Sequence, residues 1–136
     1  MAAGVVQVLR DVYDAMVAHA LEERPDECCG MLAGKNGRVT RALRAVNVAE
    51  RKGVRYEVAP REILRLMDEM DDANLDHLGI YHSHTFTRAY PSATDIGLAA
   101  YPVYYVIVSL ADFRKPVVKA FTITDGEVEE HPIEVV

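Results

Sequence analysis

The sequence lacks any apolar run long enough to cross a membrane, and it has no strongly basic segment. A transmembrane helix needs about 20 predominantly apolar residues, and no run in this chain approaches that length. The segment Met1–Gln7 also lacks the basic start and the apolar block of a secretory signal. We therefore expect a cytoplasmic protein with no membrane partner.

Cysteine is scarce, and positive charge is outweighed by negative charge. The two cysteines, Cys28 and Cys29, are adjacent, and neighbouring residues rarely form a disulfide because the bridge strains the peptide between them. We expect both to stay reduced and to pack in the core. The formal net charge is -6. Since nucleic-acid-binding proteins concentrate Lys and Arg to neutralise phosphates, a nucleic-acid partner is not expected.

The composition is typical of a folded, soluble domain. Half of the residues are hydrophobic and about a quarter are charged. A chain of 136 residues is long enough to bury a continuous core without disulfides. Because no repeat and no linker divides the sequence, we expect residues 1–136 to form a single domain.

Hydrophobic spacing predicts alternating strands and helices. The predicted elements are a strand at Val5–Val8, a helix ending before Pro25, a hairpin of Cys28–Ala33 and Val39–Val48 around Gly34–Gly37, a helix opened by Pro60, a strand at His77–His84, a short helix at Thr94–Ala100, and strands at Val103–Leu110, Val117–Thr124 and Val128–Val136. This order predicts an α/β or α+β protein, with a mixed sheet and helices packed on its faces.

Two histidines end the strand predicted at His77–His84. Alternation along a strand sends His82 and His84 to one face, with Cα atoms about 6.5–7 Å apart, so both rings can approach one ion. A catalytic zinc site uses three protein ligands and a water, and Asp95, at a predicted helix start, is the candidate for the third. In a plainer interpretation the histidines are surface residues, and Ser92–Asp95 is a capping box that satisfies helix amides.

The complete order of these residues is more specific than any of its parts. His82-Ser83-His84 is followed after seven residues by Ser92 and, two residues later, by Asp95. Glu27 lies upstream, just before an apolar strand. This order resembles the motif of the JAMM or MPN-plus (Mov34/PAD-1-like) zinc metalloprotease family, and the resemblance spans nearly the whole chain. Thr85 departs from the family, which usually has proline there; the change could alter loop stiffness but removes no ligand.

The resemblance implies a JAMM/MPN fold, which is cytidine-deaminase-like, and one zinc ion per chain. The zinc ligands would be His82, His84 and Asp95. Glu27 would act as general base and acid, and Ser92 would help to stabilise the tetrahedral oxyanion. The chemistry is coherent, because zinc lowers the pKa of bound water to about 7 while a nearby carboxylate moves its proton to the leaving amine.

Four segments, Glu27–Gly34, Tyr56–Val58, Ile80–His84 and Ala89–Ser92, look like bacterial single-domain members of the family. The resemblance therefore implies a peptidase that hydrolyses the amide bond after the C-terminal Gly-Gly of a ubiquitin-like sulfur-carrier protein, releasing cysteine or extra residues. A deubiquitinase-like isopeptidase and a non-catalytic MPN-type scaffold remain as alternatives. A zinc deaminase is disfavoured because its Pro-Cys-x-x-Cys segment is absent. The histidines outside the motif, expected to be structural or exposed, are His19, His77 and His131.

Overall fold

The computed structural model describes residues 4–136 and contains one mixed sheet with helices on both of its faces. The elements are β1 (Val6–Val8), α1 (Arg10–Glu23), β2 (Cys29–Lys35), β3 (Arg38–Ala45), α2 (Pro60–Asp72), β4 (Asp76–His84), α3 (Ala93–Leu98), β5 (Tyr104–Ser109), β6 (Val117–Thr124), β7 (Glu127–His131) and β8 (Ile133–Val135). The mixed α/β class predicted from the sequence is confirmed. None of the helices within residues 4–136 is long and apolar enough to span a membrane.

The strands lie side by side in the order β7-β6-β5-β4-β2-β3-β1-β8. At the centre of the sheet, β4 is antiparallel to β2 and parallel to β5. Parallel neighbours need a crossover connection, because the chain must return to the other end of the sheet before the next strand begins. The crossover from β4 to β5 contains α3, so the motif residues lie at the carboxyl end of β4.

The sheet buries side chains on both faces. α1 packs on one face, in a cluster that includes Cys28, and α2 packs on the other, in a cluster that includes Cys29. Both cysteines are free and buried, as predicted. Burying a large apolar side chain contributes about 1.5–3 kcal/mol, so the two clusters hold the motif-bearing strands from both faces of the sheet.

The prediction of one final strand at Val128–Val136 is wrong. Pro132 separates β7, at one edge of the sheet, from β8, at the opposite edge. Proline has no N–H to donate to a strand ladder, but its carbonyl accepts a hydrogen bond from the Val6 amide at 2.8 Å. Because the two edges are consecutive in the chain, the sheet must curve strongly; residues of β1, β6 and β8 join the same core cluster as α1.

Other boundaries differ less from prediction. The strand expected at Val39–Val48 ends at Ala45, and the segment up to α2 is irregular. The hairpin turn is formed by Asn36 and Gly37, with φ angles of 52° and 76°, which is the left-handed backbone that two-residue hairpin turns require. The short helix expected at Thr94–Ala100 is Ala93–Leu98.

Gly30 provides a test of the packing of β2 against its neighbours β3 and β4. A Cβ atom there would lie 2.5 Å from the Leu43 carbonyl oxygen and would also overlap the ring of Tyr81. We therefore expect Gly30→Ala to lower the free energy of unfolding by about 1–3 kcal/mol, as other overpacking substitutions do. Urea unfolding followed by circular dichroism measures this loss.

Gly97→Ala is the matched control. A Cβ at Gly97 would meet no heavy atom within 4 Å among the described residues, and alanine favours a helix over glycine by roughly 0.5–1 kcal/mol. The control should be as stable as the parent protein or slightly more stable. Equal stability of the two variants would contradict this description of the contacts that Gly30 makes with β3 and β4.

Candidate metal centre

Two histidine side chains converge at the carboxyl end of β4. His82 and His84 lie on the same face of the strand, as predicted, and their Nε2 atoms are 3.1 Å apart. Asp95 approaches from α3, with its Oδ2 atom 3.2 Å from His82 Nε2 and 3.0 Å from His84 Nε2. Both histidines are buried. The crossover thus joins the three residues that the spacing predicted as a group.

The donor atoms suit a tetrahedral metal ion. Ligands at 2.0–2.1 Å from such an ion are separated by about 3.3 Å, and the observed separations of 3.0–3.2 Å are close to this value. His84 Nδ1 lies 3.0 Å from the Arg88 carbonyl oxygen, an acceptor, so Nδ1 carries the proton and Nε2 presents its lone pair to the group. Two imidazoles and a carboxylate form a candidate metal-binding group suited to zinc.

The electrostatics of the group favour the protonation states of Asp95 and His82 that metal binding needs. Burial opposes ionisation of Asp95, but its contacts with both imidazoles hold the pKa of that carboxyl well below its usual range. Burial lowers the pKa of His82. Burial has the same effect on His84, but the contacts with Asp95 and the Arg88 carbonyl outweigh it and raise the His84 pKa. At neutral pH the group therefore contains a carboxylate and a neutral His82, as metal ligation requires.

Ser92 begins α3 as its N-cap. The Ser92 hydroxyl oxygen accepts a hydrogen bond from the Asp95 amide at 3.1 Å, and the Ser92 amide donates to Asp95 Oδ2 at 2.9 Å. The capping box of the plainer interpretation is therefore present, and the same contact directs the Asp95 carboxylate towards the histidines. Because the hydroxyl oxygen is an acceptor here, the Ser92 hydroxyl proton is available to another acceptor.

Glu27 lies just before β2 and is buried. Burial raises the pKa of Glu27 to about 7, while His84 lowers it and Asp95 raises it to smaller extents. Because Cys29 pairs with His82, Glu27 lies two residues from the strand end that carries the candidate metal group. A pKa near 7 suits a side chain that must first take up a proton and then release it.

The backbone around Glu27 is fixed by hydrogen bonds from three directions. The Glu27 amide donates to the Lys52 carbonyl at 2.7 Å, and the Glu27 carbonyl accepts from Asn47 Nδ2 at 2.9 Å. The Cys28 amide donates to Ser83 Oγ at 2.8 Å, and the Ser83 amide donates to the Cys28 carbonyl at 3.1 Å. The serine between the two histidines thus ties the glutamate segment to β4.

Thr85, the departure from the family motif, provides a further link. The Thr85 hydroxyl donates to the Pro25 carbonyl at 2.9 Å, and the side chain is buried. In the family, proline would stiffen this loop through its ring. In this chain a hydrogen bond to the segment before Glu27 restrains the loop instead.

Asn47 was not singled out in the sequence. Its side-chain amide donates to the carbonyls of Glu27 and Arg55, each at 2.9 Å. Its Oδ1 atom accepts from the amides of Ala49 and Glu57, at 3.0 and 3.1 Å. Asparagine is typical of irregular backbone because its side chain bonds to nearby main-chain groups. That signal was hidden because Asn47 fell inside the strand predicted at Val39–Val48.

An apolar pocket of about 200 Å³ opens beside Asp95. Tyr56 stands in its wall and also stacks on the His82 ring, with centroids 4.5 Å apart. The apolar lining includes Met31, Val58, Ile63, Ile80, Leu98 and Tyr105. These residues come from several elements, so no single sequence pattern indicated the pocket.

A candidate donor group for a metal ion, a buried glutamate and an adjoining pocket are the features expected of a metallohydrolase site. The family follows from comparison with known proteins. Residues 9–124 match Prok-JAB, the prokaryotic homologs of the JAB domain. The chain belongs to this family, and the resemblance inferred from the motif is confirmed.

Individual relatives agree with this assignment. The chain is 43% identical over 135 residues to the CysO-cysteine peptidase of Mycobacterium tuberculosis, covering 97% of this chain and 92% of that protein. It is 34% identical over 120 residues to a desampylase of Haloferax volcanii, covering 84% and 86% of the two chains. The chain is therefore a hydrolase that acts on peptide or isopeptide bonds, as predicted.

Solved structures agree with the fold. A protein from Desulfitobacterium hafniense superposes with a TM-score of 0.86 at 34% identity, covering 96% of this chain and 92% of that one. A JAB1/MPN domain protein from Archaeoglobus fulgidus superposes with a TM-score of 0.61 at 19% identity, covering 96% and 99%. The predicted JAMM/MPN fold is thus confirmed.

The raised pKa of Glu27 predicts a pH-dependent stability in the metal-free protein. A carboxyl whose pKa rises from 4.5 to about 7 on folding stabilises the fold when protonated. That contribution is fully present below the unfolded pKa and is lost as the pH rises through 7. We expect Glu27→Gln, measured by urea unfolding with a chelator present, to be roughly 1–3 kcal/mol more stable than the parent at pH 8, with a much smaller difference at pH 5.

Glu50→Gln is the control for that comparison, because Glu50 is an exposed carboxylate. It should follow the parent protein at both pH values. The same pH dependence in the parent and in Glu27→Gln would contradict the buried position of the Glu27 carboxyl.

The contacts of Asn47 lead to a separate prediction. Asn47→Ala leaves main-chain groups without their partner and should cost about 2–4 kcal/mol. Asn47→Asp keeps the acceptor for the Ala49 and Glu57 amides but loses both donated bonds. Amide hydrogen exchange measured by NMR should therefore show protection at these two amides in Asn47→Asp and rapid exchange in Asn47→Ala. Equal protection in the two variants would show that Oδ1 is not the acceptor.

Proposed function

We propose that this protein is a zinc-dependent peptidase that hydrolyses the amide bond after the C-terminal Gly-Gly of a ubiquitin-like sulfur-carrier protein, releasing cysteine or extra C-terminal residues. The observation that carries the proposal is the approach of donor atoms of His82, His84 and Asp95 to within 4.8 Å of one another, beside the buried Glu27. The similarity to a CysO-cysteine peptidase along nearly the whole of both chains supports the substrate class.

In this proposal His82, His84 and Asp95 hold one zinc ion per chain. When bound, zinc supplies a water of lowered pKa and polarises the scissile carbonyl. The Glu27 carboxylate takes a proton from the attacking water and delivers it to the nitrogen of the leaving amine. Burial raises the pKa of this carboxyl to about 7 in the metal-free protein, and a cation beside it would lower that pKa and favour the carboxylate that takes up the first proton.

Ser92 is proposed to donate a hydrogen bond to the oxyanion of the tetrahedral intermediate. Its hydroxyl oxygen already accepts the Asp95 amide, which orients the hydroxyl and leaves its proton for the substrate. Removing one such donor lowers the rate by about 10²–10³-fold in other hydrolases. The cap and the oxyanion contact therefore use different parts of one hydroxyl group.

The pocket beside Asp95 supports an extended peptide as the substrate. In this proposal the glycines let the tail lie close to the donor group, and the apolar pocket beside Asp95 accommodates a side chain from the tail. Leu98 and Phe86, each 72% exposed, flank this region in sequence and offer apolar contacts to a folded carrier.

We also propose that residues 1–136 form one domain that works in the cytoplasm. β1 and β8 pair with each other in the sheet that contains every other strand of the described residues, which supports one folding unit. Two free, buried cysteines are typical of a reducing compartment.

A second candidate function is an isopeptidase that removes a ubiquitin-like modifier from a lysine side chain. The similarity to a desampylase favours it, and the same residues would perform the chemistry. A non-catalytic scaffold is disfavoured, because a scaffold does not require a complete donor group with a buried glutamate beside it.

The test uses a ubiquitin-like carrier ending in Gly-Gly-Cys and the same carrier joined through Gly-Gly to a lysine side chain. The purified protein should contain about one zinc per chain and release cysteine, detected by mass spectrometry. Glu27→Gln should retain zinc and lose about 10²–10⁴-fold in rate, the usual contribution of general acid–base catalysis.

Glu50→Gln again serves as the exposed control and should cleave at the parent rate. Cleavage of the lysine-linked carrier alone would select the isopeptidase. No cleavage of either substrate by the zinc-loaded protein would reject both candidate functions.

A further inference from the structure

The two histidines of the candidate metal group are held in different ways. A metal-binding histidine usually donates its second ring N–H to a carbonyl or carboxylate, which fixes the ring orientation. His84 follows this rule through the Arg88 carbonyl, 3.0 Å from Nδ1. His82 does not, because its Nδ1 atom is buried and has no hydrogen-bond partner in the part of the chain that the structure describes. Among these residues, the orientation of the His82 ring is therefore held by contacts other than a hydrogen bond at Nδ1.

Tyr56 is in position to hold the orientation of the His82 ring. Its ring stacks on the His82 ring with a centroid distance of 4.5 Å and an interplanar angle of 26°. Rotation of the imidazole about its Cβ–Cγ bond would carry Nε2 away from His84 and Asp95, and it would also break this stacking. Stacked aromatic pairs contribute about 0.5–1.5 kcal/mol beyond the area they bury, enough to favour one ring orientation.

Tyr56 is itself held firmly. Its two chain neighbours, Arg55 and Glu57, are bonded through their main chains to the side chain of Asn47. The Tyr56 ring also packs against the core cluster beneath α2. The ring is therefore a fixed surface for the imidazole rather than a mobile side chain that follows it.

We propose that Tyr56 is a positioning residue that orients His82 for metal binding through the stacked face of its ring. The inference rests on the proposed function, since it takes His82 as a zinc ligand. It assigns no role to the Tyr56 hydroxyl, so the ring and the hydroxyl can be tested separately.

The experiment compares Tyr56→Phe, which keeps the ring, with Tyr56→Leu, which removes it. Zinc affinity is measured by competition with a chromophoric chelator, and the visible spectrum of the Co²⁺-substituted protein reports the ligand geometry. Tyr56→Phe should bind zinc within about twofold of the parent and keep its cobalt spectrum. Tyr56→Leu should lose roughly 10–100-fold in affinity, the usual cost of removing a group that orients a metal ligand, with an altered spectrum.

Tyr101→Leu is the matched control. Tyr101 also lines the apolar pocket, but its ring contact is with His77 rather than with His82. This variant should leave zinc affinity unchanged. Thermal unfolding of each metal-free variant identifies those that fold, and Tyr56→Met replaces Tyr56→Leu if the latter does not.

The outcomes separate the role of Tyr56 from the proposed function. Parent-like zinc affinity in Tyr56→Leu would overturn the role of the ring. An equal loss in Tyr56→Phe and Tyr56→Leu would overturn it as well, because the hydroxyl would then be responsible. A parent protein that binds no zinc would instead contradict the proposed function itself.

Discussion

The direction of β4 relative to its two neighbours is the constraint on which the candidate site depends. Because β5 is parallel to β4, the chain leaving His84 must cross back over the sheet, and this crossover carries Asp95 to the carboxyl end of β4. Because β2 is antiparallel to β4, its first residues lie at that same end, where Cys29 pairs with His82. Glu27, two residues earlier, therefore arrives beside the histidines. The positions of Asp95 and of Glu27 beside the histidines therefore both follow from the direction of the strands.

Placing so many polar groups in a buried cleft is costly unless each has a partner. Ser83 and Thr85 meet the main chain on either side of Glu27, and the Ser92 cap binds Asp95. The Asp95 carboxylate can therefore serve both as part of the capping box and as a metal ligand, because the cap orients the oxygen that the ion would bind. The exception is Nδ1 of His82, which lacks a partner among the described residues. That unpartnered atom is a free-energy cost that the site carries.

Features set by short-range spacing could be predicted from the sequence. The period of a strand places His82 and His84 on one face, the predicted helix start adds Asp95 as a candidate ligand, and the family motif adds Glu27. Features set by long-range contacts could not. The strand order depends on packing between distant segments, and the stacking of Tyr56 on His82 joins residues 26 positions apart in sequence. The division of the last strand was different, because Pro132 within the predicted strand was itself a signal of a break.

Asn47 connects the proposed general base of the site with the proposed metal ligand His82. One side-chain amide holds the main chain of Glu27, the proposed general base, and also the residues on both sides of Tyr56, the proposed support of His82. A shift of the irregular segment after β3 would therefore displace the base and the metal ligand together. The distance between the attacking water and the proton acceptor must be controlled closely for efficient catalysis. Because the side chain of Asn47 holds the main chain beside Glu27 and beside Tyr56, it keeps the distance between the proposed base and the proposed metal ligand constant.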